Sequence, residues 1–363
     1  HSSFNKRIKR IMAYISFQPS DFFNATTYVG TGASHAITGV GFQPDAVWIK
    51  ETGGTENHSI QNSVVGSTSY VNTDRTNAEA TNAESVKSFD ADGFTLGTRA
   101  AVNNSSDEYI SWNWKAGSTA SGATTGSGTA KTYSAGYNTT SGFSIVKYTG
   151  NGTTGHTIPH HLGAVPETIF VKSTAINNWN CYAEPLTAAY ILRLNTTASS
   201  ANENNRFQAT PTSTVFSLGD DAHTNGNDVD YIAYLWTPIK GYSSFGEFTG
   251  NGDDDGPFVY TGFRPAYVML RNSSATQSWQ IYTNGTNSVA QKGMQSWNEM
   301  TTLGRLKADA DEAASTKNAM DFLSNGFKIR TTASDINSGT NILWFAFAEF
   351  PIVSSNDVPG IAR

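Results

Sequence analysis

The sequence predicts an all-β protein built from three tandem sandwich modules, and three observations carry that expectation. The first is composition: charged residues are 15% and aromatics 12% of 363 residues, with Gly, Ser, Thr and Asn abundant, a balance that suits short strands and many turns. The second is alternation. In the stretch beginning Phe143-Ser-Ile145-Val-Lys147 successive residues fall on opposite sides of an extended strand, the period of two that marks β structure. The third is an internal repeat.

Each copy opens with an aromatic residue followed by Gly-x-Gly, from Tyr28 to Gly32, Tyr148 to Gly152 and Phe248 to Gly252. Gly and Asn there supply a turn because they adopt positive φ at little steric cost. A proline then leads a strand, at Pro44, Pro166 and Pro265, with the apolar pairs Val47 and Ile49, Ile169 and Val171, Val268 and Leu270 three and five residues on. Six residues after each proline stands a cation, Lys50, Lys172 or Arg271. Alternation puts it opposite the core pair, so its charged head is expected to reach solvent or a carboxylate while its stem covers apolar neighbours.

Phe94, Phe216 and Phe327 lie 50, 50 and 62 residues past their prolines, so the third copy carries a 12-residue insertion. Closing strands alternate Ile110, Trp112, Trp114; Ile232, Tyr234, Trp236; and Leu343, Phe345, Phe347. On the proline-led strands Trp48, Phe170 and Met269 make the second side apolar as well. Either that strand is internal or its outer side meets a neighbouring module or subunit.

The resulting division is an arm and lead-in at 1–27, repeat one at 28–116, a Gly/Ser/Thr-rich linker at 117–141, repeat two at 142–237, repeat three at 243–350 and a tail at 351–363. Within the first segment, 1–11 is basic and reads either as an arm or as a stretch preceding a true start at Met12. Residues 16–23, with Pro19 and three aromatics, read as an ordered lead-in. The linker's composition predicts flexibility or a long surface excursion. Copies two and three, joined by a short connection, should be close neighbours, with the first free to sit farther away.

Several chemistries are weighed and set aside. A net charge of −6 gives no long-range attraction to nucleic acid. No apolar run approaches the length of a membrane span, so the expectation is a soluble protein without membrane insertion. A lone Cys181 excludes an intrachain disulfide and reads as a buried, inert thiol. Gly150-Asn-Gly152-Thr-Thr-Gly155 matches a dinucleotide-loop pattern, but strands flank it on both sides and no helix follows. His156, His160 and His161 do not suit one metal, since strand positions four apart are separated by about 13 Å. The pairs Asp90 and Asp92, and Asp228 and Asp230, fall in turn sequences where Asp serves the backbone. No hydrolase nucleophile motif is present. No catalytic residue, cofactor or metal is therefore assigned, and the protein is not expected to be an enzyme.

Two features differ between copies and are the candidate ligand-binding residues. Asp253, Asp254 and Asp255 form an acidic loop where the other copies have Ala33-Ser34-His35 and Thr153-Thr154-Gly155. Trp297 stands in the insertion, where it could stack on a sugar, meet a subunit or cap its own module. Trp179 and Trp279 are equivalent to each other and to His58, and read as core.

The phrases Y-T-G-N-G, D-G-F-T-L-G with a downstream V-N, Y-I-A-Y and G-P-F-V-Y-T-G-F-R-P-A resemble a repeat family of virion proteins from marine tailed phages, described as tail-fibre-like or capsid-attached. The resemblance covers roughly residues 12–363. It implies jelly-roll or lectin-like sandwich modules on the surface of a phage particle, with other virion proteins and host-surface glycan as partners and a homo-oligomeric state in the particle. It implies either host attachment or capsid or tail decoration; a glycan-degrading enzyme, whose paired acids would show no sequence motif, stands third.

Overall fold

The computed structural model describes residues 15–284, 304–316 and 319–351. The chain is predominantly β-strand, arranged in multiple antiparallel sheets. Helix among the described residues is limited to the four-residue turns Ala100–Asn103, Ala222–Asn225 and Ser334–Asn337 and two 3-10 turns.

The same strand order occurs three times. In the first unit an opening strand, Phe23–Val29, pairs with the closing strand Glu108–Trp114, which pairs with the proline-led strand Ala46–Glu51 and then Ser59–Asn62. The second unit repeats this with Phe143–Thr149, Asp230–Trp236, Thr168–Ser173 and Asn180–Ala183, and the third with Ser243–Thr249, Asn341–Pro351, Phe263–Asn272 and Gln280–Thr283. Pro44, Pro166 and Pro265 are all buried. The first two precede their strands, whereas Pro265 lies inside a longer one, at a register irregularity that accommodates its missing N–H.

A smaller sheet covers one face of each large one. Its middle strands, Gly93–Leu96, Val215–Leu218 and Gly326–Ile329, carry Phe94, Phe216 and Phe327, each fully buried. Phe94 shares a core with Val47 and Ile49, Phe216 with Ile169 and Val171, and Phe327 with Val268 and Leu270.

The opposite faces of the large sheets meet one another. Trp48, Phe170 and Met269 belong to a single apolar cluster drawn from all three units, which explains why both sides of the proline-led strands are apolar. At its centre the equivalent residues Trp114, Trp236 and Phe347 form a triangle of rings with centroid separations of 6.0, 5.7 and 6.5 Å. Hydrogen bonds follow the same cyclic order. Backbone N–H groups of Glu79, Ser200 and Ala314 donate to the equivalent carbonyls of Thr174, Ser273 and Thr52, at 2.9, 2.8 and 2.8 Å. The indoles of Trp179 and Trp279 donate to Asn72 O and Arg193 O of the preceding unit, at 2.8 and 2.9 Å. His58 Nε2 contacts Lys307 O of the third unit at 2.9 Å and closes the ring.

Three expectations are corrected here. The first unit does not sit apart, because it packs on both others. The stretch 117–141 is not a flexible linker: Ser118–Ala123 and Thr132–Asn138 extend the second unit's large sheet, and Thr125–Gly126 extends its small one. An edge hairpin is held by main-chain bonds and needs few apolar residues, so a Gly/Ser/Thr composition suffices. The cations reach neither solvent nor a carboxylate. Lys50 Nζ donates to Glu51 O and Gly54 O at 2.6 and 3.2 Å, Lys172 Nζ to Ser173 O and Ala175 O at 2.7 and 3.0 Å, and Arg271 Nη2 to Thr197 O at 2.8 Å and to Ala198 O. Carbonyls at the end of the same strand and in the loop after it serve Lys50 and Lys172, carbonyls of the second unit serve Arg271, and burial lowers Lys50 and Lys172 to about 8.

The opening strand of the first unit begins at Phe23, within the segment read as lead-in. The residues before it turn at Pro19–Asp21, and Phe17 and Phe22 pack on Tyr242 in the connection between the second and third units, at 5.5 and 6.5 Å between rings.

Candidate functional site

A buried asparagine ends each four-residue helical turn, and it holds the Gly-x-Gly loop in place. Asn103, Asn225 and Asn337 accept, through Oδ1, from the N–H of the loop's middle residue, Thr31, Asn151 or Asn251, at 2.8, 2.9 and 2.9 Å. Their Nδ2 groups donate to Gly97 O, Gly219 O and Thr331 O at 2.7, 2.6 and 2.6 Å, and again to Ala33 O, Thr153 O and Asp253 O at 2.6, 3.0 and 2.6 Å. The two glycines serve different purposes. A Cβ on Gly30, Gly150 or Gly250 would stand 2.0, 2.4 or 2.1 Å from a carbonyl at the end of the helical turn, whereas Gly32, Gly152 and Gly252 have φ of 67°, 67° and 72°. This hub was in view as the downstream Val102-Asn103 of the first copy. Its recurrence at the end of each turn was the signal that would have marked it.

In the third unit the hub fixes the acidic loop. Asp253 N donates to Asn251 Oδ1 at 3.0 Å and Asp255 N to Asp253 Oδ1 at 2.9 Å. Asp255 Oδ1 pairs with Lys328 Nζ at 2.9 Å and lies 3.5 Å from Arg330 Nη1, while Arg330 Nε pairs with Asp321 at 2.6 Å. The hydrogen bond from Lys328, and its charge, hold the Asp255 carboxyl below the usual range. Asp254 is exposed and has no protein partner among the described residues. No group of three His, Cys, Asp or Glu among the described residues is placed to hold a metal ion.

The loop leads directly into Phe258–Tyr260, the edge strand of the small sheet. Val259 points into the core, 6% exposed, while Phe258 and Tyr260 flank it on the outer face at 45% and 59% exposed. Phe258 pairs with Lys328 and Tyr260 with Gly326. A Cβ on Gly326 would stand 2.0 Å from Val259 O and 3.0 Å from the Phe258 ring, so this glycine admits the close approach of the edge strand and leaves room for the ring beside it. The result is a platform of two exposed rings beside the Asp255, Lys328, Arg330 and Asp321 charge network.

The same two places in the other units carry no aromatic side chain. Register aligns Val259 with Ile37 and Ile158, so Ala36 and Thr38 stand there in the first unit and Thr157 and Pro159 in the second. In the sequence the phrase Pro257-Phe258-Val259-Tyr260 does not by itself show which residues face outward. Aligning Phe-Val-Tyr with Ala-Ile-Thr and Thr-Ile-Pro would have shown them. Trp297 lies outside the described residues.

The three histidines diverge. His156 contacts Asn225 Oδ1 and Thr124 Oγ1 at 2.8 and 2.6 Å. Burial lowers His160 to about 4 although its contact with Thr212 O at 3.1 Å acts the other way, and His161 contacts the Tyr133 hydroxyl at 2.9 Å. Asp228 and Asp230 are separately paired, to Lys131 at 2.5 Å and Lys147 at 3.0 Å. Cys181 is buried, and burial pushes its thiol up.

These features define a class: an all-β chain of three like-ordered sheet pairs closed on a shared aromatic core, with one unit bearing an exposed ring platform. The chain belongs to the family described as Domain of unknown function (DUF7483), whose model matches residues 18–351. No curated protein matches it.

Proposed function

We propose that this chain is a non-enzymatic structural and adhesive protein of a tailed-phage particle. On this reading it consists of three jelly-roll or lectin-like sandwich modules derived from one internal repeat, and it binds host-surface glycan through the third. The observation that carries the proposal is the placement of Phe258 and Tyr260. At one of three equivalent places, two aromatic rings face outward beside carboxylates and cations, where the other units have small side chains and a proline. Exposed rings stack on the apolar faces of sugars, and fixed charged groups orient hydroxyls. The repeated hub makes the loop rigid, so binding there orders little that is mobile.

The closed arrangement of units favours a second reading, decoration of a capsid or tail without a receptor role, because a rigid single-chain body with an aromatic axis needs no ligand to be useful. A glycan array separates the two. The adhesive reading expects saturable binding that falls at least tenfold in Phe258→Ala and Tyr260→Ala while the melting temperature stays nearly constant. Binding unchanged in both variants would overturn the platform. No binding to any glycan, with the protein firmly retained on purified particles, would leave decoration. Release of reducing sugar from a bound glycan would make the protein an enzyme.

A further inference from the structure

The second unit carries an edge hairpin that has no counterpart in the first among the described residues. Its strand Thr132–Asn138 lies along the opening strand, with Tyr137, Gly136, Ala135 and Ser134 opposite Ser144, Ile145, Val146 and Lys147. Thr125–Gly126 pairs at the same time with His156–Pro159, so one segment closes the edges of both layers. Register against the closing strands makes Asn24, Ala25, Thr26 and Thr27 the first-unit equivalents of those four paired residues. Among the described residues nothing pairs with them on that side.

Those same four residues, with Thr38 and Gly39 from the second layer, line an open groove of about 370 Å³. Asn284 of the third unit also lines it, next to Thr283, whose hydroxyl accepts from Trp112 Nε1 at 2.9 Å. The groove thus continues the interface between the first and third units. Its lining carries no charge, and Phe23–Val29 contains neither proline nor a charged residue. Exposed edges are normally blunted by such residues. The equivalent edge of the third unit follows that rule, since Glu247 is exposed within Ser243–Thr249.

We propose that the open edge of the first unit is a strand-acceptor site for an extended, uncharged Gly/Ser/Thr/Tyr segment of another polypeptide. The second unit shows what such an edge accepts, because it holds a strand of that composition on the equivalent residues. Main-chain hydrogen bonds would supply affinity, and alternate side chains entering the groove would supply selection. The inference does not depend on glycan binding.

The test uses the full chain and a fluorescently labelled synthetic peptide of residues 132–138, the uncharged strand seated on the equivalent edge. The proposal expects saturable binding by anisotropy, slower amide exchange across residues 23–29 on addition of the peptide, and at least tenfold weaker binding in Thr38→Lys. Thr38 is exposed, so that variant should keep the parent melting temperature. Thr26→Lys provides a second block from the strand itself. Absence of saturable binding, or binding that both variants leave intact with protection elsewhere, would overturn the proposal. Sedimentation of the unmodified chain as a dimer that Thr38→Lys dissociates would assign the edge to a second copy and equally overturn it.

Discussion

The inner faces of the large sheets and the outer faces of the small ones come from the same three copies, yet they have been kept to different standards. Inward, equivalent positions hold equivalent chemistry: Trp114, Trp236 and Phe347 at the centre, His58, Trp179 and Trp279 around it, all buried. Outward, Ala36 and Thr38, Thr157 and Pro159, and Phe258 and Tyr260 share register and little else. A side chain at the centre of the inner face touches both other units, so changing it disturbs all three. One on the outer face touches its own sheet and solvent and is free to diverge.

The strongest way to break this comparison is at the centre. Trp236→Ala removes a ring that meets both Trp114 and Phe347 and should cost about 3–5 kcal/mol, read by denaturant unfolding. The three units should still unfold in one transition. Separate transitions in the parent protein would mean the inner faces do not act as one core. Next comes the hub. Asn225→Ala strands the N–H of Asn151 and the carbonyls of Gly219 and Thr153, and a loss of about 2–4 kcal/mol is expected. A loss in Asn103→Ala of similar size would show that the hub is equally structural in a unit with no aromatic platform.

A smaller effect depends on pH. Asp74 stands near the contact of the first and third units, 3.6 Å from Arg75 Nε, and Arg75 reaches Asp311 at 2.6 Å. Burial pushes its carboxyl up to about 6. A raised acid contributes stability that is complete below its ordinary value near 4 and is lost as pH rises through 6. Between pH 4 and 7 the parent should therefore lose about 1–2 kcal/mol relative to Asp74→Asn. Parallel pH profiles for the two proteins would show that the carboxyl is not held in a dry interface. The smallest effect belongs to the outer face: Tyr260→Ser should move stability by no more than about 0.5 kcal/mol.

The strands were legible because their signals are local. Alternation is a property of neighbouring residues, the 50-residue spacing from Pro44 to Phe94 recurs from Pro166 to Phe216, and Phe94, Phe216 and Phe327 occupy one place in three sheets. The arrangement of the units was not legible, because it depends on residues far apart in sequence, such as Trp112 and Thr283. The apolar second side of the proline-led strand was its trace, and it left two readings open. The hairpin at 118–138 was hidden by composition, although Tyr133 and Tyr137 alternate within it. The buried cations were hidden for another reason: their acceptors are carbonyls, which every sequence contains and none displays. In the candidate site, the acidic residues stood out by charge, whereas Phe258 and Tyr260 stood out only against their register partners.

The contact of His58 with Lys307 spans 249 residues, and it sets an order of events during synthesis. A ribosome delivers the first unit's aromatic inner face long before the third unit exists to cover it. The first two units can bury part of that surface against each other, but a sticky remainder stays open until the last strands, including Asn341–Pro351, leave the exit tunnel. Contacts this distant form slowly, and half-assembled chains with exposed apolar faces aggregate. A chain whose three parts complete one another is therefore vulnerable until the closing strand Asn341–Pro351 is in place, and chains cut before Asn341 should be less soluble than the chain that includes it.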